Sequence, residues 1–430
     1  MTSTPDSPVE TGWWDRWEDR VRGTLSRAGL APFTIVFCLM VWVLRRPGQL
    51  LHPYIWCEES FVLRSWLDHG WSAAFEPLQG YFAFPSTFLI TIAAEISPAG
   101  MPVIEYAFAT IVFLVTVAAL VIPDSRWGDL RIRSLFAILL VLVPSDPEVF
   151  GVLLYSFWWA GLWPLVVLGW TRPLWALRIP LLAVAALSSP AGCAMVLIFA
   201  LAWLRERGRV LLVSAAVLGV GAVVQVVAVA TSDRGSSLAG GLTLGNLTEG
   251  TIRSGGFYVS RWTASGMYAD RAWSLFVGLL FAGFVAWATY THVRARREWS
   301  AAYLALAAVI LAAISQVPAP MASEPLLAAG RYYFHPYTLF AWLLVYLWSQ
   351  SRVEPLRRTA IVLVALSLIT LGTGFSRPEL QRSQTLDWRA ELESCAASPA
   401  ENVDLRIMYD GSPTVWALQV TPEECRRMLG

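Results

Sequence analysis

The sequence predicts an all-α polytopic membrane protein with about eleven transmembrane helices, interfacial helices in the first outer loop, and a small α/β extracytoplasmic C-terminal appendage. Three observations predict it. Of 430 residues, 56% are hydrophobic and only 15% charged, with a mean hydropathy of +0.53, which is too apolar for an ordinary soluble domain. The apolar residues gather in runs long enough to enter or cross a bilayer. Short Arg-rich connections alternate with longer Arg-poor ones. All 32 basic residues are Arg, and the net charge is +1 with no large basic cluster, so nothing calls for a nucleic-acid partner.

Residues 1–29 are polar and then Arg-rich, with Trp13, Trp14 and Trp17 clustered; they read as a cytoplasmic interfacial tail leading into an uncleaved first span. Apolar segments follow at 30–44, 101–122, 133–144, 150–170, 174–188, 190–204, 209–230, 271–292, 299–316, 336–350 and 357–375. Several fall short of the ~20 residues a perpendicular helix needs, so they extend into flanking residues or break into half-helices at Pro144 and Pro190. The short connections near 123–133, 171–178, 205–209, 293–298 and 351–358 carry 14 of the 32 Arg residues and read as cytoplasmic. With the N-terminus inside, eleven spans leave the C-terminus outside. Segment 83–97 would reverse that parity if it crossed, so it reads as a re-entrant or interfacial piece of the first outer loop, 46–100.

That loop holds the least ordinary stretch, residues 54–81, where Glu58 and Glu59 stand side by side in a Trp-rich surround. Val62, Leu63, Trp66 and Leu67 share one helical face, which predicts a short interfacial helix stopping at Gly70. Glu58, Glu59 and Ser60 fall in its first turn, where the helix dipole favours an ionised carboxylate. Two further clusters fall in outer loops. One is the acidic turn Ser145–Asp146–Pro147–Glu148, with Tyr155, Trp158 and Trp159 following. The other is Gly330–Arg331–Tyr332–Tyr333–Phe334–His335, where an Arg among Tyr and His suits a phosphate clamp, since the guanidinium fork binds two phosphate oxygens at once. Arg45 and Arg46, at the outer end of the first span, either snorkel or touch phosphate. The Gly/Ser/Thr-rich loop 231–270, with Arg253 and Arg261, reads as a mobile flap or a plain connector.

The tail from 376 to 430 changes character. Residues 387–395 are helix-like, 403–409 and 415–420 are candidate strands, and Thr421 with Pro422 starts a last helix. Cys395 and Cys425 are its only cysteines, and outside the cytoplasm such a pair is a disulfide before it is a metal site. Cys57 is left unpaired.

One span, a long outer loop with an acidic pair and interfacial helices, then many spans: this layout resembles the GT-C superfamily of polyprenyl-phosphate-dependent membrane glycosyltransferases. More narrowly, Trp56–Cys57–Glu58–Glu59–Ser60–Phe61, Phe75–Glu76–Pro77–Leu78–Gln79–Gly80–Tyr81, Pro147–Glu148–Val149, Ser188–Ser189–Pro190 and Gly330–Arg331–Tyr332–Tyr333–Phe334 resemble landmarks of its little-characterised bacterial multispan branch. The likeness spans most of residues 30–375. Relatives commonly read Trp–Glu–Asp–Gly at the acidic site, where this chain has Glu58–Glu59–Ser60.

The resemblance implies a bacterial plasma-membrane enzyme that moves a sugar, with inversion, from an outer-leaflet polyprenyl-phosphate donor to a cell-envelope glycan or lipid acceptor. Glu59 or Glu58 would be the base, Glu59 slightly preferred. Arg331, Tyr332, Tyr333, His335 and Arg261 would hold the donor phosphate, aided by Arg253 or the Arg45/Arg46 pair. Trp56, Arg64, Tyr81, Asp146, Glu148, Trp158 and Trp159 would form the pocket. No resident metal is required; a divalent cation, Mg or Mn, is the one cofactor the acidic pair could hold, without any His ligand set beside it. The alternatives are an O-antigen-type polymerase or ligase, and a non-enzymatic transporter or lipid-carrier flippase. The sparse in-span polar residues, Gln225 the clearest, weigh against the transporter.

Overall fold

The computed structural model describes residues 27–143, 147–232, 243–260, 270–316, 330–369, 387–407 and 416–430. The chain is predominantly helical. Its helices are α1 (Arg27–Arg45), α2 (Pro47–Leu51), α3 (Glu59–His69), α4 (Ser86–Ile96), α5 (Met101–Val121), α6 (Leu130–Leu142), α7 (Ser156–Ala160), α8 (Trp163–Gly169), α9 (Trp175–Ser188), α10 (Pro190–Ala194), α11 (Val196–Glu206) and α12 (Arg209–Ala230). After these come α13 (Leu244–Ser260), α14 (Arg271–Arg296), α15 (Ser300–Ser315), α16 (Phe334–Gln350), α17 (Glu354–Ile369), α18 (Trp388–Ala396) and α19 (Pro422–Leu429).

Every apolar segment read from the sequence carries helix. Among the described residues, α5, α12 and α14 are long and apolar enough to cross a membrane; the other apolar helices are shorter. The outward face of α12, with Val220, Val223, Val226 and Val227 all exposed, would be a liability in water and suits a lipid surround. Segments 174–188 and 190–204 are separated at Ser189, because Pro190 forbids a continuous helix through them. Ser189 is extended there, and its hydroxyl accepts the Gly192 N–H to cap α10. Pro144 lies outside the described residues. α4, with 11 residues, rises only about 16 Å, half the thickness of a bilayer core, so it does not cross by itself.

α16 is the axis of the packing. Every residue from Phe334 to Leu347 is buried. Its first turn packs Phe334 on Trp159, which in turn meets Trp42, Phe113 and Phe150 in one aromatic cluster. Because Arg331 leads directly into this helix, the axis also sets where its guanidinium goes.

The 231–270 loop is not a simple connector or flap over its described part, because residues 244–260 form α13, packed along α14. The Gly/Ser/Thr composition that suggests a loop instead permits a close crossing. A Cβ at Gly256 would stand 2.0 Å from the Ser274 carbonyl oxygen, and one at Gly278 would stand 2.2 Å from that of Ile252. Backbone atoms cannot yield as side chains do. Gly256→Ala is therefore expected to force the helices apart and cost about 1–3 kcal/mol, read as a lowered thermal midpoint in detergent; an unchanged midpoint would contradict the crossing.

The C-terminal part is a small α/β unit. β1 (Val403–Ile407) and β2 (Trp416–Val420) pair antiparallel, with Leu405 opposite Leu418. Thr421 and Glu424 form a capping box at the start of α19, with Pro422 in its first turn, and Cys395 is disulfide-bonded to Cys425. The unit rests on α3. Arg64 reaches Glu424 at 2.7 Å and the Gln419 carbonyl at 3.2 Å, and Arg427 donates to the Leu67 carbonyl at 3.0 Å.

Candidate functional site

Glu58 sits at the N-cap of α3, and its carboxylate gathers three side chains. Oε2 accepts from the Trp56 indole N–H at 3.0 Å and from the Tyr155 hydroxyl; Oε1 faces Arg331 Nη2 at 3.3 Å. Arg331 uses its other nitrogen, Nη1, on Glu148 Oε2 at 2.6 Å and on the Tyr155 hydroxyl at 2.8 Å. Tyr155 is thus the hub of the cluster, joined also to Trp56 Nε1 at 3.1 Å. Two carboxylates and one guanidinium leave the cluster anionic by one charge when both acids are ionised.

A cavity of about 230 Å³ opens beside it, with Glu58, Tyr155 and Arg331 at its polar end. Tyr81, Phe157, Trp158 and Tyr332 form aromatic walls, and the Ser189–Pro190 break between α9 and α10 supplies another side. Val229, Ile314 and Ser315, at the ends of α12 and α15, close the apolar part. The Trp158 indole N–H is buried without an acceptor among the described residues. Tyr81 is placed by a tight reversal in which Leu78 and Tyr81 pair, while Gln79 (φ 49°) and Gly80 (φ 88°) take left-handed conformations; at Gly80 a side chain would be strained. Gln225 then holds the adjacent strand end, its amide accepting the Phe82 N–H at 3.0 Å and donating to the Phe82 carbonyl at 2.9 Å. A single Gln in a helix of Val, Ala and Gly was the sequence signal for that clamp.

Glu59 does not face the cavity. It is 1% exposed, and its two oxygens accept the backbone N–H groups of Trp56 at 2.6 Å and Leu154 at 2.9 Å, tying the start of α3 to the 150–155 segment. Of the adjacent pair, it is Glu58 that reaches the cavity. Burial pushes the Glu59 carboxyl up to about 7, against the pull of those two N–H groups and of Arg46.

A raised folded-state value means that the native protein holds this proton more tightly than the unfolded chain. The resulting stability is full below the ordinary value of 4.5 and is lost as pH rises through about 7. Thermal midpoints should therefore fall between pH 5 and pH 8. Glu59→Gln should flatten that slope, and should cost about 1–3 kcal/mol because an amide has one acceptor for two N–H donors. An identical slope in the variant would remove Glu59 as its cause.

Several other expected site residues lie elsewhere. Arg64 belongs to the contact with the C-terminal unit and not to the pocket, because Asp68 and Glu424 claim it. Trp159 is a core residue, its indole donating to the Val149 carbonyl at 2.8 Å. His335 is buried against the Trp158 carbonyl at 2.6 Å, and Tyr333 packs on Phe257 and Tyr337; neither lines the cavity. Arg45 binds the carbonyls of Val141 and Val143, both at 2.9 Å, and Arg46 reaches the Phe150 carbonyl and the Tyr54 hydroxyl. They satisfy chain ends and do not snorkel. Arg253 is held by Ser274 at 2.9 Å. Arg261 and Asp146 lie outside the described residues.

Glu58 and Glu59 diverge, with Glu59 committed to backbone, and no group of three or more His, Cys, Asp or Glu among the described residues could hold a metal ion. Comparison of the chain with protein-family models, curated proteins and solved structures finds no match.

Proposed function

We propose that this protein is a membrane glycosyltransferase of the GT-C type, which transfers a sugar with inversion from an outer-leaflet polyprenyl-phosphate donor to a cell-envelope glycan or lipid acceptor. In this reading the eleven apolar segments are spans, the N-terminus is cytoplasmic and the C-terminal unit is extracytoplasmic. One observation carries the reading: Glu58 and Arg331, 273 positions apart, meet at the polar end of one apolar-walled cavity. That pairing supplies what the reaction needs, a base and a phosphate-holding cation at the mouth of a lipid-compatible site.

The donor phosphate would take the longer arm of Arg331, now 3.3 Å from Glu58, while the 2.6 Å contact with Glu148 keeps the guanidinium oriented. Glu58 then accepts the proton of an acceptor hydroxyl as its oxygen attacks the anomeric carbon. The carbon–oxygen bond to phosphate breaks, and polyprenyl phosphate leaves with the bonding pair. Tyr155 and Trp56 hold the carboxylate in place, and Tyr332 and Trp158 flank the sugar. The leaving group is already a phosphate and needs little acid help.

The test is turnover in proteoliposomes containing a polyprenyl-phosphate-linked radiolabelled sugar and a cell-envelope extract. Release of polyprenyl phosphate with label in a glycan or lipid product is the expected result. Intact donor carried to the other leaflet would replace this reading with a flippase. Extension of an oligosaccharide on its own carrier would replace it with the polymerase or ligase alternative.

A further inference from the structure

A second cavity, about 340 Å³, opens at the far end of α15. Ser300, the first residue of that helix, lines it, while Ser315, the last, lines the cavity described above. The two therefore stand about 22 Å apart along the helix axis. Arg126, Arg205 and Arg297 converge on the second cavity from three separate connections, together with Glu206, Glu298 and Trp299.

The charges there are not balanced. Glu206 is claimed by Arg126 at 2.7 Å and by the Tyr303 hydroxyl at 3.2 Å. Glu298 accepts from the hydroxyls of Tyr346 at 3.0 Å and Ser300 at 3.3 Å. Arg205 lies over the Trp299 ring at 4.3 Å, and neither it nor Arg297 has an ion pair among the described residues. Trp299 is also the N-cap of α15 and offers no side-chain acceptor, while the Glu298 carboxylate before it accepts from the Ser300 hydroxyl and offsets part of the positive charge there.

We propose that this second cavity binds a phosphate group, with Arg205 and Arg297 as its clamp. Three guanidiniums against two carboxylates leave the cavity with one net positive charge, and the two guanidinium forks without an ion pair match the several oxygens of a phosphate. The Arg–Trp pairs at this end, Arg205 with Trp299 and Arg207 with Trp203 at 5.2 Å, are the side-chain types found at headgroup depth. The phosphate is that of an anionic phospholipid or of a soluble phosphate compound, and the experiment separates the two.

The full-length protein is placed in phosphatidylcholine nanodiscs, and retention of added phosphatidylglycerol is measured by native mass spectrometry. Inorganic phosphate is titrated in a parallel arm. The wild type should retain phosphatidylglycerol, and Arg205→Gln/Arg297→Gln should bind it roughly tenfold more weakly. Arg172→Gln/Arg352→Gln, which removes the same charge from exposed positions outside the cavity, should leave retention unchanged. If inorganic phosphate binds with that same variant pattern and phosphatidylglycerol does not, the clamp stands and its ligand is soluble. Equal losses in both double variants would mean general surface charge and would overturn the proposal. So would no loss in the Arg205/Arg297 variant, provided its thermal midpoint matches the wild type.

Discussion

Glu58→Gln is expected to lower sugar transfer by about 10²–10⁴-fold while donor binding survives. The amide keeps the shape of the side chain and can still accept from the Trp56 indole and the Tyr155 hydroxyl, so the segment leading into α3 should hold its form. What it loses is the ability to take a proton from the acceptor. Arg331 also loses one of its two carboxylate partners, the one at the longer distance, and retains Glu148. Donor affinity should then stay equal or tighten, since the phosphate no longer competes with Glu58. Single-turnover transfer and equilibrium donor binding measure the two effects separately. Wild-type transfer by Glu58→Gln would remove it as the base, and a parallel loss of donor binding would make it a structural residue.

Arg331→Ala is expected to fail in the opposite order, weakening donor binding by about 1.5–3 kcal/mol, the worth of a hydrogen bond to a charged group. It also strands Glu58 and Glu148, whose side chains are only 20% and 14% exposed, without the cation between them. A lowered thermal midpoint should accompany the affinity loss. Arg331→Lys separates charge from geometry. It keeps the charge and part of the stability, but a single ammonium cannot bridge Glu148, Tyr155 and a phosphate as the fork does. Unchanged donor affinity in a folded Arg331→Ala protein would sink the clamp, whatever happened to stability.

The two substitutions bear on residues that the sequence already singled out, yet for unequal reasons. An Arg among aromatic residues is conspicuous in a chain where 14 of the 32 Arg residues gather at five short connections. An adjacent acidic pair is conspicuous too, but adjacent helical residues point about 100° apart, and nothing in the letters says how the helix is rotated about its own axis. Only the docking of α3 against the 150–155 segment turns Glu58 outward and Glu59 onto backbone N–H groups. The same limit misplaced Arg64, whose partners Gln419 and Glu424 lie more than three hundred positions away.

Local pattern by itself determined the apolar helical character of the chain, the break at Pro190, the capped last helix and the pairing of Cys395 with Cys425, because each depends on hydropathy, on neighbouring residues or on the tail's having only two of the five cysteines. The tertiary structure alone decided the rest. It made a helix of residues 244–260, where small residues that look like a loop in isolation buy a close crossing with α14. It drew Arg45 and Arg46 onto buried carbonyls, and it sent Trp159, Tyr333 and His335 into the core around α16. The physical reason is common to all of these. A polar or aromatic side chain near a membrane surface can satisfy its hydrogen bonds with water, ligand or protein, and which of them it meets depends on packing between segments far apart in the chain.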